Sequence, residues 1–72
     1  SRLSDAKFVL KKAELKYKDG LWFDCLGKIG KSLASLGGES APDKRLLKQA
    51  PKLFEHMRSC YTLSADCYIK LN

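Results

Sequence analysis

Residues 46–71, LLKQAPKLFEHMRSCYTLSADCYIKL, decide how the rest of the chain is read. Their apolar positions recur every seven residues: Leu46, Leu53, Cys60 and Cys67 form one row, and Leu47, Phe54, Tyr61 and Tyr68 form a second beside it. Ala50, Met57, Ser64 and Leu71 fall between the rows at the complementary three-and-four spacing, which gives a wide apolar face at helical period. A face of that width needs two neighbouring helices, and two further helical patterns lie upstream. The expected fold is all-α, a single antiparallel three-helix bundle. Pro51 interrupts the long pattern, since a proline inside a helix loses a hydrogen bond, clashes with the preceding turn and disfavours helical geometry at Ala50. The expectation is therefore a short helical turn at 43–49, a kink or restart near Pro51, and a main third helix over Lys52–Lys70.

The first upstream pattern, Ser4–Lys18, spaces Leu3, Ala6, Leu10, Ala13 and Tyr17 by threes and fours. Ser4 suits an N-cap and Asp5 the first turn, where a carboxylate meets the positive end of the helix dipole; Lys16 and Lys18 suit the opposite end. Asp19-Gly20 stops this helix. The second pattern, Leu21–Leu36, carries Trp22, Leu26, Ile29, Leu33 and Leu36, with Trp22 expected partly covered at a helix end. Gly27, Gly30 and Ala34 form a strip of small residues along it. Each helical glycine costs about 1 kcal/mol relative to alanine, so the pair needs a reason. Close approach of a neighbouring backbone is the favoured one, and a groove left open for a partner helix is the other. Gly37-Gly38 ends the second helix, and residues 37–43 read as a loop. The core expected is Leu10, Ala13, Tyr17, Leu26, Ile29, Leu33, Phe54, Met57 and Tyr61.

With 72 residues, 44% hydrophobic and 31% charged, the composition is that of one soluble globular domain, too small for a deep active-site cleft. The sequence reads as a single interaction module excised from a larger protein. No apolar run reaches the roughly 18 residues that span a bilayer. Cys25, Cys60 and Cys67 are odd in number, and Cys60 and Cys67 lie two helical turns, roughly 10 Å, apart, so a disulfide framework is not expected. Reduced thiols place the protein inside the cell, in cytoplasm or nucleus.

His56 and Cys60, four residues apart, share a helical face and could hold zinc with Cys67 beyond, but a zinc site needs three or four converging ligands. The expected alternative is a surface or boundary histidine beside buried thiols. No acid or amide is placed to orient His56 for a cysteine nucleophile, and no carboxylate pair occupies an apolar face. Gly30-Lys31-Ser32 ends like a phosphate loop but lies inside a helical pattern, without the first glycine. The expectation is a chain that is not an enzyme and uses no metal or cofactor.

Fourteen basic residues against eight acidic ones leave a formal charge of +6, which favours acidic partners. Lys7, Lys11 and Lys18 share one face of the first helix, and Lys44, Arg45, Lys48 and Lys52 crowd the entry to the third. Nucleic acid is the alternative partner, although arginine is scarce and no exposed aromatic run or helix-turn-helix pattern accompanies the lysines. The apolar faces are needed for the core, so membrane insertion is not expected.

Residues 12–33, KAELKYKDGLWFDCLGKIGKSL, resemble the helical hairpin of tetratricopeptide-like units and the first two helices of MIT (microtubule interacting and trafficking) domains. There, an Ala-rich helix, a tight turn and an apolar-x3-apolar second helix recur. The resemblance covers about a third of the chain. It implies a three-helix module that binds short, often acidic, amphipathic helices in grooves beside its third helix, in a trafficking role. Ala41-Pro42 and Pro51 depart from the uninterrupted third helix of MIT domains. The function expected is binding of a helical or linear peptide motif, through Gly27, Gly30, Lys31, Ala34, Lys44, Arg45, Lys48 and Arg58.

Overall fold

The computed structural model describes residues 2–37 and 48–72. These form three helices: α1 (Arg2–Lys18), α2 (Trp22–Ala34) and α3 (Ala50–Leu71). The helical turn expected at 43–49 falls mostly outside the described residues, as do Leu46, Leu47, Lys44 and Arg45. α3 starts at Ala50, as the expected restart near Pro51 requires: the proline sits in the first turn, where its missing N–H has no partner to lose, and it does not kink the helix. The Leu53 amide donates to the Gln49 carbonyl at 2.9 Å and opens the helix around the proline.

α1 begins two residues earlier than its sequence pattern implies, so Ser4 lies within the first turn rather than capping it. Its end matches the expectation. Gly20 takes the left-handed conformation at φ 74°, its amide donates to the Tyr17 carbonyl and the Leu21 amide reaches back to Lys16, each at 3.0 Å. This paired closure reverses the chain within three residues. α2 therefore returns along α1, and it opens with Trp22 edge-to-face on Tyr17, the ring centroids 5.2 Å apart. The Lys70 ammonium stands 5.9 Å from the Trp22 ring, so the last turn of α3 shares this end of the bundle. At the other end Leu3 and Ala6 meet Leu36, with Leu53 and Met57 of α3 packed against them. α1 and α3 thus run in one direction and α2 in the other.

The core has two apolar layers. Leu10, Ala13, Cys25, Ile29, Cys60 and Cys67 form the larger; Leu3, Ala6 and Leu36 form the smaller. Most of these side chains are small, which lets the helices approach closely and leaves little room for rings. That is the reason for the main correction to the sequence reading. Phe54 and Tyr61, expected in the core, are 67% and 58% exposed, and Tyr68 of the same row is 61% exposed. Of α3's two seven-residue rows, the one with Cys60 and Cys67 is buried and the aromatic one borders it at the surface. Leu10, Ala13 and Ile29 are buried as expected, whereas Tyr17, Leu26, Leu33 and Met57 are half-buried.

The glycine strip is the second correction. Gly27, Gly30 and Ala34 face solvent, and a Cβ built on either glycine would meet no atom within 4 Å. Close helix packing does not account for these glycines.

Candidate functional site

Between the two apolar layers lies a polar one. Ser32, which the 25–29–32–36 spacing brings into the buried row of α2, donates its hydroxyl hydrogen to the Ala6 carbonyl of α1 at 2.6 Å. A serine has one hydrogen to give, so at the 2.8 Å contact with His56 Nε2 the serine oxygen accepts and the imidazole donates. This places a proton on Nε2. The Cys60 thiol completes the cluster, 3.8 Å from Ser32 Oγ and 3.5 Å from His56 Nε2. His56 is only 4% exposed, not the surface or boundary residue its polarity implied. Burial, and then the Lys7 charge, lower its pKa from the ordinary 6.5. Burial raises the Cys60 thiol, an effect the Ser32 hydrogen bond partly offsets.

Chemically this layer joins all three helices through satisfied hydrogen bonds. Its serine hydrogen is committed to a backbone carbonyl and its thiol is protonated, so it presents no nucleophile to solvent. The other two cysteines also meet. Cys25 of α2 and Cys67 of α3 lie in the same buried layer, and burial, reinforced by the neighbouring thiol, pushes Cys25 up to about 12. All three thiols are free and buried. Among the described residues no three His, Cys, Asp or Glu side chains converge as metal ligands, and no helix is long and apolar enough to cross a membrane.

The surface divides along the two edges of α3. Toward α1 the helices pack least, and the seam opens into clefts of about 480, 460 and 260 Å³. Leu10 and Leu63 line the largest, flanked by Glu14, Glu55, Arg58 and Asp66. Lys7, Lys11 and Lys52 border the other two. Toward α2 the surface is aromatic. Phe54, Tyr61 and Tyr68 each lie one turn from Met57, Ser64 or Leu71, the half-buried positions that separate them from the interior.

On α2, Lys16 of α1 shares a shallow cleft with Asp24, Gly27, Lys28 and Lys31, which marks the α1-facing edge. Leu26 and Leu33 are therefore on the opposite edge, toward α3, with Gly30 between them by register. The α2–α3 seam is bordered by a backbone without a side chain on one helix and by a row of rings on the other.

The residues expected to bind are thus dispersed. Gly27, Gly30, Lys31 and Ala34 share the exposed face of α2; Arg58 faces the α1–α3 seam; Lys48 is exposed just before α3. Lys44 and Arg45 lie outside the described residues. Sequence reasoning missed the aromatic row as a surface because it assigned those rings to the core. It also passed over Ser32, although the spacing Cys25, Ile29, Ser32, Leu36 contained the signal.

No protein-family model, curated protein or solved structure matches this chain.

Proposed function

We propose that this chain is a non-catalytic protein-interaction module that binds a short helix or linear peptide of acidic character along the α2–α3 edge, with Phe54, Tyr61 and Tyr68 as anchors. The observation that carries this reading is the exposure of three large rings in register on one helix, 67%, 58% and 61%. Clustered exposed apolar surface marks interaction sites, and aromatic side chains supply most hot spots. Beside them, the open space over Gly30 lets a ligand approach the α2 backbone closely. The +6 charge adds to the association rate of an acidic ligand more than to its final affinity. The resemblance of residues 12–33 to MIT domains supports the same class of partner and a trafficking role.

The test is an amide-shift titration with an acidic amphipathic peptide and, separately, with an oligonucleotide. The peptide is expected to move resonances of Gly30, Phe54, Tyr61 and Tyr68, with weak dependence on ionic strength. Shifts by the oligonucleotide alone, centred on Lys48 and Lys52 and with a log-log salt slope of about −0.7 to −0.9 per phosphate, would replace this reading with nucleic-acid binding.

A further inference from the structure

The α1–α3 seam carries a second signal, independent of the aromatic row. Its clefts form one continuous track, because neighbouring clefts share residues: Lys7, Lys11 and Lys52 at one junction, Leu10, Glu14 and Glu55 at the other. Leu3, Leu10 and Leu63 supply apolar contacts along it, among the polar side chains of Gln49, Ser59 and Thr62. The walls change sign along the axis. Beside the N-terminal turns of α1 and α3 they carry Lys7, Lys11 and Lys52; further along they carry Glu14, Glu55 and Asp66 against a lone Arg58. From Leu3 to Glu14 the track follows eleven helical steps, roughly 16 Å, or about three turns.

We infer that this track is a directional docking groove for an amphipathic helix of another protein, one with carboxylates in its first turns and lysine or arginine in its last. Such a helix lays its apolar stripe on Leu10 and Leu63, sets its carboxylates among Lys7, Lys11 and Lys52, and sets its cations near Glu14, Glu55 and Asp66. It therefore runs parallel to α1 and α3. The same charge order stabilises an isolated helix through its dipole, so the ligand the groove selects is also one that needs least ordering on binding. Opposed charges along the walls reject the reverse orientation, which would bring like charges together at both ends.

The experiment uses two synthetic amphipathic helices with the same apolar stripe and composition. One carries glutamates in its N-terminal half and lysines in its C-terminal half, the other the reverse, and each has a nitroxide label at its N-terminus. The first is expected to bind about tenfold more tightly, the scale of several exposed charge pairs acting together. Its label should broaden the amides around Lys7 and Lys52. The triple variant Lys7→Glu, Lys11→Glu, Lys52→Glu should abolish or invert the preference while leaving the thermal midpoint nearly unchanged, as these side chains are exposed. Phe54→Ala with Tyr61→Ala should leave it intact, which separates this groove from the aromatic edge. Equal affinity for the two peptides, absence of binding by either, broadening centred on Glu14 and Asp66, or broadening confined to Phe54 and Tyr61 would each overturn the inference.

Discussion

The two seven-residue rows of α3 are alike in spacing and opposite in fate. Leu53, Cys60 and Cys67 line the interior, with His56 beside them; Phe54, Tyr61 and Tyr68 stand one position further along the chain and at the surface. The larger side chains, the rings, are the ones outside. Burial here follows the space that α1 and α2 leave, which Ala6, Ala13, Cys25 and Ser32 make narrow. Small core residues close the bundle, and the rings that cannot enter become available to a partner.

The sharpest way to break this contrast is to truncate one residue of each kind. Ile29→Ala, in the fully buried layer, should lower stability by about 2–5 kcal/mol, whereas Phe54→Ala should change it by about 0.5 kcal/mol or less. Urea melts of both variants measure this, and equal losses would put Phe54 back in the core.

The polar layer comes next. Ser32→Ala removes the acceptor of the His56 Nε2–H and should cost about 1–3 kcal/mol, more than a side chain of that size would otherwise warrant. A neutral outcome in the same urea melts would mean that the layer contributes little to holding the helices together.

The glycines of α2 are expected to act in the opposite sense. Since a Cβ meets nothing at either position, Gly27→Ala and Gly30→Ala should each raise stability by about 0.5–1 kcal/mol through helix propensity. The Gly30 substitution should also weaken peptide binding at the α2–α3 edge. Destabilisation on thermal melting would show that the backbone is closely packed there after all.

The pH dependence should be the smallest of these effects, and its sign follows from the lowered pKa of His56. Below about 6.5 the unfolded chain takes up a proton that the folded chain resists, so His56 contributes stability that is complete above that pH and is lost as pH falls. Denaturant midpoints at pH 7.5 and 5.5 should differ in the wild type and converge in His56→Gln. An unchanged difference would assign the dependence to other groups.

Much of the fold was legible in the sequence because it rests on periodicity and punctuation. Apolar spacing marked all three helices, and Asp19-Gly20 marked the first reversal. The centre of α3's buried arc was not legible: a seven-residue pattern places two rows side by side, but which one is covered depends on side-chain sizes on other helices. His56 was hidden by its polarity. Its place four residues before Cys60 already put it on the buried stripe, but the partner that makes burial tolerable, Ser32, comes from a different helix. The charge track escaped for the same reason, since Lys7 and Lys52, or Glu14 and Asp66, become neighbours only when α1 and α3 run in one direction.

The central claim is that the exposed row of α3 is the binding surface, and one comparison tests it most directly. The affinity of an acidic amphipathic peptide for the wild type is measured by calorimetry against the double variant Phe54→Ala, Tyr61→Ala, with thermal midpoints taken on the same samples. The account predicts at least about a tenfold loss of affinity at a nearly unchanged midpoint, as expected for anchors that carry binding energy without holding the fold. Equal affinity in a stably folded double variant would contradict it.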